Sequence, residues 1–211
     1  GMAMVDPNYR KSKVFLSMAL FTVREIKNLY PKILGYAKCV TSHRRSQAFV
    51  ANFTSSLLQL SVYNHASFVG IKGDANPRET LIYSILNFSN DKTEKTIYVP
   101  QEHQAFIQQL LTNAKFNITV LPYDENQEEP ENSVLHYETL PGRQFAEITM
   151  EQSGQDFDSV LQKQTNYLRQ NGIMTINLLL PTSSSLNPEI NSHLLKNGYF
   201  FSGFKPTPDG S

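Results

Sequence analysis

The chain has 211 residues, 40% of them hydrophobic and 18% charged, so it is long and apolar enough to bury a core as one large or two small domains. Nineteen Lys and Arg balance nineteen Asp and Glu, a formal net charge of zero that removes the long-range field of a nonspecific nucleic-acid binder. Its single cysteine, Cys39, excludes an intramolecular disulfide and a cysteine-rich zinc site.

Residues 3–5 form a short apolar run that ends at Asp6 and Pro7 and reads as a strand, since proline disfavours a helical residue before it. A helix follows from Ser12: Phe15, Ala19, Val23, Ile26 and Tyr30 recur at helical spacing until Pro31. Residues 33–41 read as a buried strand, and residues 46–60 as a second helix with Phe49, Val50, Phe53, Leu57 and Leu60 on one side. Residues 67–71 and 79–88 read as neighbouring strands around a turn with Gly73, Asp74, Asn76 and Pro77.

A polar link over residues 89–95 marks the boundary between two modules, 1–92 and 93–211. Beyond it a strand (96–99), a helix (101–114) and a strand (118–121) form a compact unit. Residues 123–133 carry five carboxylates around Pro130 without regular ligand spacing and read as a solvated loop. Residues 134–140 and 145–150 read as strands joined by Pro141 and Gly142. A helix bearing Phe157, Val160, Leu161, Gln164 and Leu168 then closes at Gly172. The apolar run 173–180 suggests a central strand buried on both faces. Asn187 and Pro188 open a last helix, Gly198 closes it, and residues 199–204 form a final strand. The order strand, helix, strand, helix, strand thus occurs over residues 3–71 and again over 145–204, an internal duplication of topology.

Function is carried by Val5-Asp6-Pro7-Asn8-Tyr9-Arg10-Lys11-Ser12-Lys13-Val14-Phe15, at the end of a strand and the start of a helix. This stretch resembles the acyl-CoA loop of the GNAT superfamily of N-acyltransferases, V-x-P-x-x-R/Q-x-x-G-x-G/A. Amides at a helix N-terminus, with the helix dipole, hold a pyrophosphate, and glycines let it approach the backbone. Val5, Pro7 and Arg10 match, whereas Lys13 and Phe15 stand where small residues belong, and Lys11 and Lys13 add positive charge. Asn187-x-x-Ile190-x-x-x-Leu194-x-x-x-Gly198-Tyr199 is similar to the family's N-x-x-A-x-x-x-Y-x-x-x-G-F helix. The proton-donating Tyr of that pattern is replaced by Leu194 here and by Phe53 at the equivalent place in the first module. The second module's own cofactor turn, residues 151–156, has no Arg and carries acidic residues.

The resemblance implies an α/β fold with a mixed sheet flanked by helices, built from two GNAT-like units in tandem. The first carries a faded acyl-CoA loop and the second none. It implies acetyl-CoA or another acyl-CoA as cofactor, held by Val5, Arg10, Lys11, Ser12, Lys13 and Val14. It also implies attack of a small-molecule or peptide amine on the thioester, with Glu79 and Glu147 as candidate bases. Tyr9, Tyr36 and Tyr63 are the tyrosines available to replace the missing acid, and Arg44 and Arg45 could meet the far end of the cofactor. The alternative is a catalytically inactive ligand-binding or dimerising scaffold, with a homodimer as its partner state.

No apolar run reaches the roughly 20 residues that cross a bilayer, and no apolar secretory segment opens the chain. A soluble, cytoplasmic protein without a membrane or nucleic-acid partner is expected. The Asn-x-Ser/Thr triplets at Asn52, Asn87 and Asn117 carry no weight without an export signal. Gly1 before Met2 reads as a tag remnant, with the natural start at Met2 or further upstream. His43, His65, His103, His136 and His193 show no zinc-ligand spacing, no hydrolase elbow or nucleotide loop occurs, and Cys39 reads as an inert buried thiol.

Overall fold

The computed structural model describes residues 6–9, 13–30, 34–41, 44–51, 57–64, 79–87, 93–114, 116–124 and 128–204. It is a mixed α/β protein. After a 3-10 turn at Pro7–Tyr9 the elements are α1 (Val14–Leu29), β1 (Leu34–Val40), α2 (Arg44–Ala51), β2 (Leu57–Asn64) and β3 (Glu79–Asn87). Then come β4 (Lys95–Val99), α3 (Gln101–Asn113), β5 (Ile118–Pro122), β6 (Val134–Leu140), β7 (Phe145–Gln152), α4 (Phe157–Gln170), β8 (Thr175–Leu179) and α5 (Ile190–Lys196).

The strands form three small sheets. β3 lies between β1 and β2, antiparallel to both. β4 and β5 are parallel, bridged by α3 as a β-α-β unit. β7 lies between antiparallel β6 and parallel β8. The second and third sheets meet where the Tyr98 amide donates to the Thr182 carbonyl at 2.8 Å, just past the end of β8.

Two apolar clusters organise the described residues from β4 onward. The larger joins Ala146, Ile148 and Met150 of β7 to Phe157, Leu161 and Leu168 of α4 and to Ile190 and Leu194 of α5. The smaller joins Ile97 and Val99 of β4 to Ile107 and Leu111 of α3 and Val120 of β5. Gln108 ties α3 to its sheet at both ends of its amide: Nε2 donates to the Ile118 carbonyl and Oε1 accepts from the Val120 amide. Both α4 and α5 end on a glycine in the left-handed region, Gly172 at φ 80° and Gly198 at φ 78°. The next amide returns to the helix in each case, Ile173 to the Leu168 carbonyl and Tyr199 to the Leu194 carbonyl.

Five expectations are corrected. The helix expected over residues 46–60 ends at Ala51, and Leu57 and Leu60 belong to β2. Those leucines fit helical spacing, but Gln59 and Ser61 alternate with Leu58, Leu60 and Val62 at the strand period, and β3 supplies a ladder for them. The neighbours of β3 are therefore β1 and β2, while the strand expected at 67–71 lies outside the described residues, as does the strand expected at 3–5.

Among the described residues the apolar run at 173–180 is not a central strand: β8 ends its sheet, all five of its residues are only half-buried, and β7 takes the central place. Residues 199–204 form no ladder among the described residues, although they run along the same region as β8. The last helix begins at Ile190 rather than at Pro188, while the Asn187 carboxamide accepts the Glu189 amide as expected of a capping residue.

Candidate functional site

The acyl-CoA-like stretch leads into α1. Lys13 precedes the helix, its carbonyl accepts the Ser17 amide, and no carboxylate occupies the first turn. Lys13 and Val14 are exposed. Phe15 is half-buried, its ring centroid 4.8 Å from that of Phe49 on α2, so this aromatic is engaged against the neighbouring helix. Val5, Arg10, Lys11 and Ser12 lie outside the described residues.

The equivalent turn of the second half, before α4, is closed by its own chain. The Gly154 amide donates to Ser133 Oγ at 2.9 Å and the Gln155 amide to the Pro130 carbonyl at 2.9 Å. The Ser133 amide in turn donates to Asp156 Oδ1 at 2.6 Å. A Cβ on Gly154 would meet the backbone of Asn132 and Ser133 at 2.5–2.8 Å, so the glycine serves approach of the protein's own backbone. Amides that a phosphate would need are spent on residues 130–133, and Asp156 adds a repelling charge. Leu194 is 8% exposed within the larger core cluster and offers no proton.

A third feature is a cleft of about 680 Å³ along β8. Residues 175–180 form one wall, residues 198–204 another, and His103 and Ile107 of α3 with Tyr83 of β3 border it. Phe201 stacks on His103 at 4.1 Å and meets Phe106 edge-on at 6.2 Å. Thr165 and Arg169 of α4 reach the cleft, and Thr165 Oγ1 lies 2.7 Å from the Tyr199 hydroxyl. Burial raises the Tyr199 phenol above its ordinary value of 10.0, against the opposing pull of the Thr165 hydrogen bond and the Arg169 charge. The phenol therefore stays protonated at neutral pH and can donate.

Glu147 lines the cleft, half-buried on β7 between Glu138 and Asn177 in register. Glu79 opens β3 opposite Asn64, on a different sheet from Glu147. Tyr9 and Tyr36 are exposed, and Tyr36 stacks on Tyr83 at 6.4 Å. Arg44 begins α2 and is exposed. Nothing in the sequence pattern singled out Tyr199 with Thr165, since they are 34 residues apart and meet only because the turn at Gly198 sends the chain back across α4.

Among the described residues no three His, Cys, Asp or Glu gather as a metal site, and no helix is long and apolar enough to cross a membrane. No family model, curated protein or solved structure matches the chain.

Proposed function

We propose that the protein is an acyl-CoA-dependent N-acyltransferase of GNAT-like architecture whose cofactor is held by its first half, at Val5 and Arg10 to Val14. The observation that carries this reading is the start of α1. A helix of 16 residues begins at Val14, directly after the Val5-x-Pro7-x-x-Arg10 stretch, with no carboxylate in its first turn. Its positive dipole end, and the amides that the first turn of any α-helix leaves without intrahelical partners, suit a diphosphate. The contact of Phe15 with Phe49 supports the reading as well, because it occupies the bulky ring that departs most from the family pattern.

Bound acyl-CoA would supply an activated acyl carbon. Lys11 and Lys13 would neutralise the diphosphate beside the Arg10 to Val14 backbone, and an amine would attack the thioester carbonyl, forming the C–N bond as the C–S bond breaks, with the amine's proton ending on the departing CoA thiolate to give free CoA thiol. On this reading the second half is a non-catalytic companion, which its closed turn at residues 153–156 and its buried Leu194 support.

Calorimetric titration with acetyl-CoA tests the proposal. Micromolar binding, weakened at least tenfold by Arg10→Ala and left intact by Arg143→Ala in the second half, is the expected result. No heat at millimolar acetyl-CoA overturns it and favours the scaffold alternative.

A further inference from the structure

Strand β6 forms one margin of the third sheet. Its ladder runs to β7, and among the described residues no strand lies along its other side. The residues from His136 to Leu140 are all exposed. A strand with one antiparallel neighbour turns alternate amides and carbonyls away from it, so β6 offers ladder groups at this edge. Such edges are ordinarily blocked by proline, by lysine or by a bulge. Residues 134–140 contain neither proline nor lysine, and the register shift falls at Val134/Leu135, which leaves 135–139 a regular stretch of roughly 17 Å.

The side chains of this stretch complement a second copy of themselves. When it is laid antiparallel to itself about a two-fold axis perpendicular to the sheet at Tyr137, Leu135 stands opposite Thr139, His136 opposite Glu138, and Tyr137 opposite its own counterpart. On the α4 face Tyr137 already meets Tyr167, ring centroids 6.2 Å apart, yet the two residues stay 41% and 53% exposed. The axis brings two such pairs together and covers their rings. On the other face Glu138 stands opposite Glu147 in the β7 register, like charge against like. Pairing sets His136 of the second copy on the other side of Glu138, a hydrogen-bond donor beside a carboxylate, twice by symmetry. The same residues fix the register. An axis at Glu138 would set carboxylate against carboxylate, and one at His136 imidazole against imidazole, so the charges favour the axis at Tyr137.

We infer that two copies of the chain join edge to edge through β6, antiparallel in this register, and merge two three-stranded sheets into one. The inference uses only β6, β7 and α4 and is independent of the acyltransferase reading.

Sedimentation velocity and cysteine cross-linking of the full chain test it together. The chain is expected to sediment as a dimer at micromolar concentration. Tyr137→Lys, which sets two like charges at the axis from an exposed position, is expected to weaken the dimer at least tenfold. Cross-linking reads the register. Residues facing each other at the axis have Cα atoms about 4.5–5.5 Å apart, within disulfide range, whereas the two copies of residue 139 lie more than about 13 Å apart. Tyr137→Cys is therefore expected to give a disulfide-linked dimer at least tenfold faster than Thr139→Cys, while the native Cys39 is buried and contributes little. Any of three results overturns the proposal. The first is a monomer at millimolar concentration, and the second is a dimer untouched by Tyr137→Lys, which places the contact on another surface. The third is equal cross-linking at 137 and 139, which means association without this register.

Discussion

A methyl group added to Gly154 would stand 2.5 Å from the Asn132 carbonyl carbon and 2.8 Å from the Ser133 nitrogen, both backbone atoms with little room to yield. Gly154→Ala is therefore expected to cost about 1–3 kcal/mol, read as a lower urea midpoint with unchanged slope. The buried tyrosines give a pH signature at the same scale. Burial raises both Tyr123 and Tyr199 above 10.0, with Glu102 adding to the effect at Tyr123. Each favours folding fully below the ordinary phenol value and loses that contribution as pH rises through the folded-state value. The thermal midpoint is expected to fall as pH climbs above 10, with a shallower fall in Tyr123→Phe and Tyr199→Phe; a pH-independent difference between parent and variants would refute the assignment. The residues of the proposed cofactor loop were legible because their pattern is local, whereas the pairing of Tyr199 with Thr165 depends on how α5 crosses α4 and leaves no local trace.

Helices α1 and α4 show how one periodicity can serve two environments. α4 buries Phe157, Leu161, Thr165 and Leu168, whereas α1 buries none of its residues and leaves Leu16, Met18, Leu20 and Phe21 exposed. Leu161→Ala is expected to cost about 2–5 kcal/mol. Leu16→Ala should stay within about 0.5 kcal/mol, and chemical denaturation of the two variants side by side measures the contrast. The stripe of α1 was readable in its sequence, but how far it is covered depends on partners elsewhere in the fold. β2 was missed for a different reason: leucines at 57 and 60 satisfy a helical step, and only the polar residues between them and the waiting edge of β3 favour the strand. β8 was recognised as a strand but misplaced, since an apolar run fits a sheet centre and a cleft wall equally well.

At the scale of the whole molecule, the mixed α/β class, α3 between its parallel strands and the hairpin of β6 and β7 were all legible, because each is set by contacts close in sequence. How the three sheets abut was not, because among the described residues one backbone hydrogen bond, from Tyr98 to Thr182, joins two of them. Stability should be uneven in consequence. Amides of β7 and α4, around residues with no exposed surface, are expected to exchange most slowly, and those of α1 most rapidly; uniform exchange across both would count against this unevenness. The outer strand β1 carries a built-in gauge of such opening. Cys39 is 5% exposed and sits opposite Ile82, the sole thiol in the chain. A water-borne aromatic disulfide can reach that sulfur only after the structure around it opens, so the rate at which colour develops clocks local opening at β1, with no label or engineered probe required.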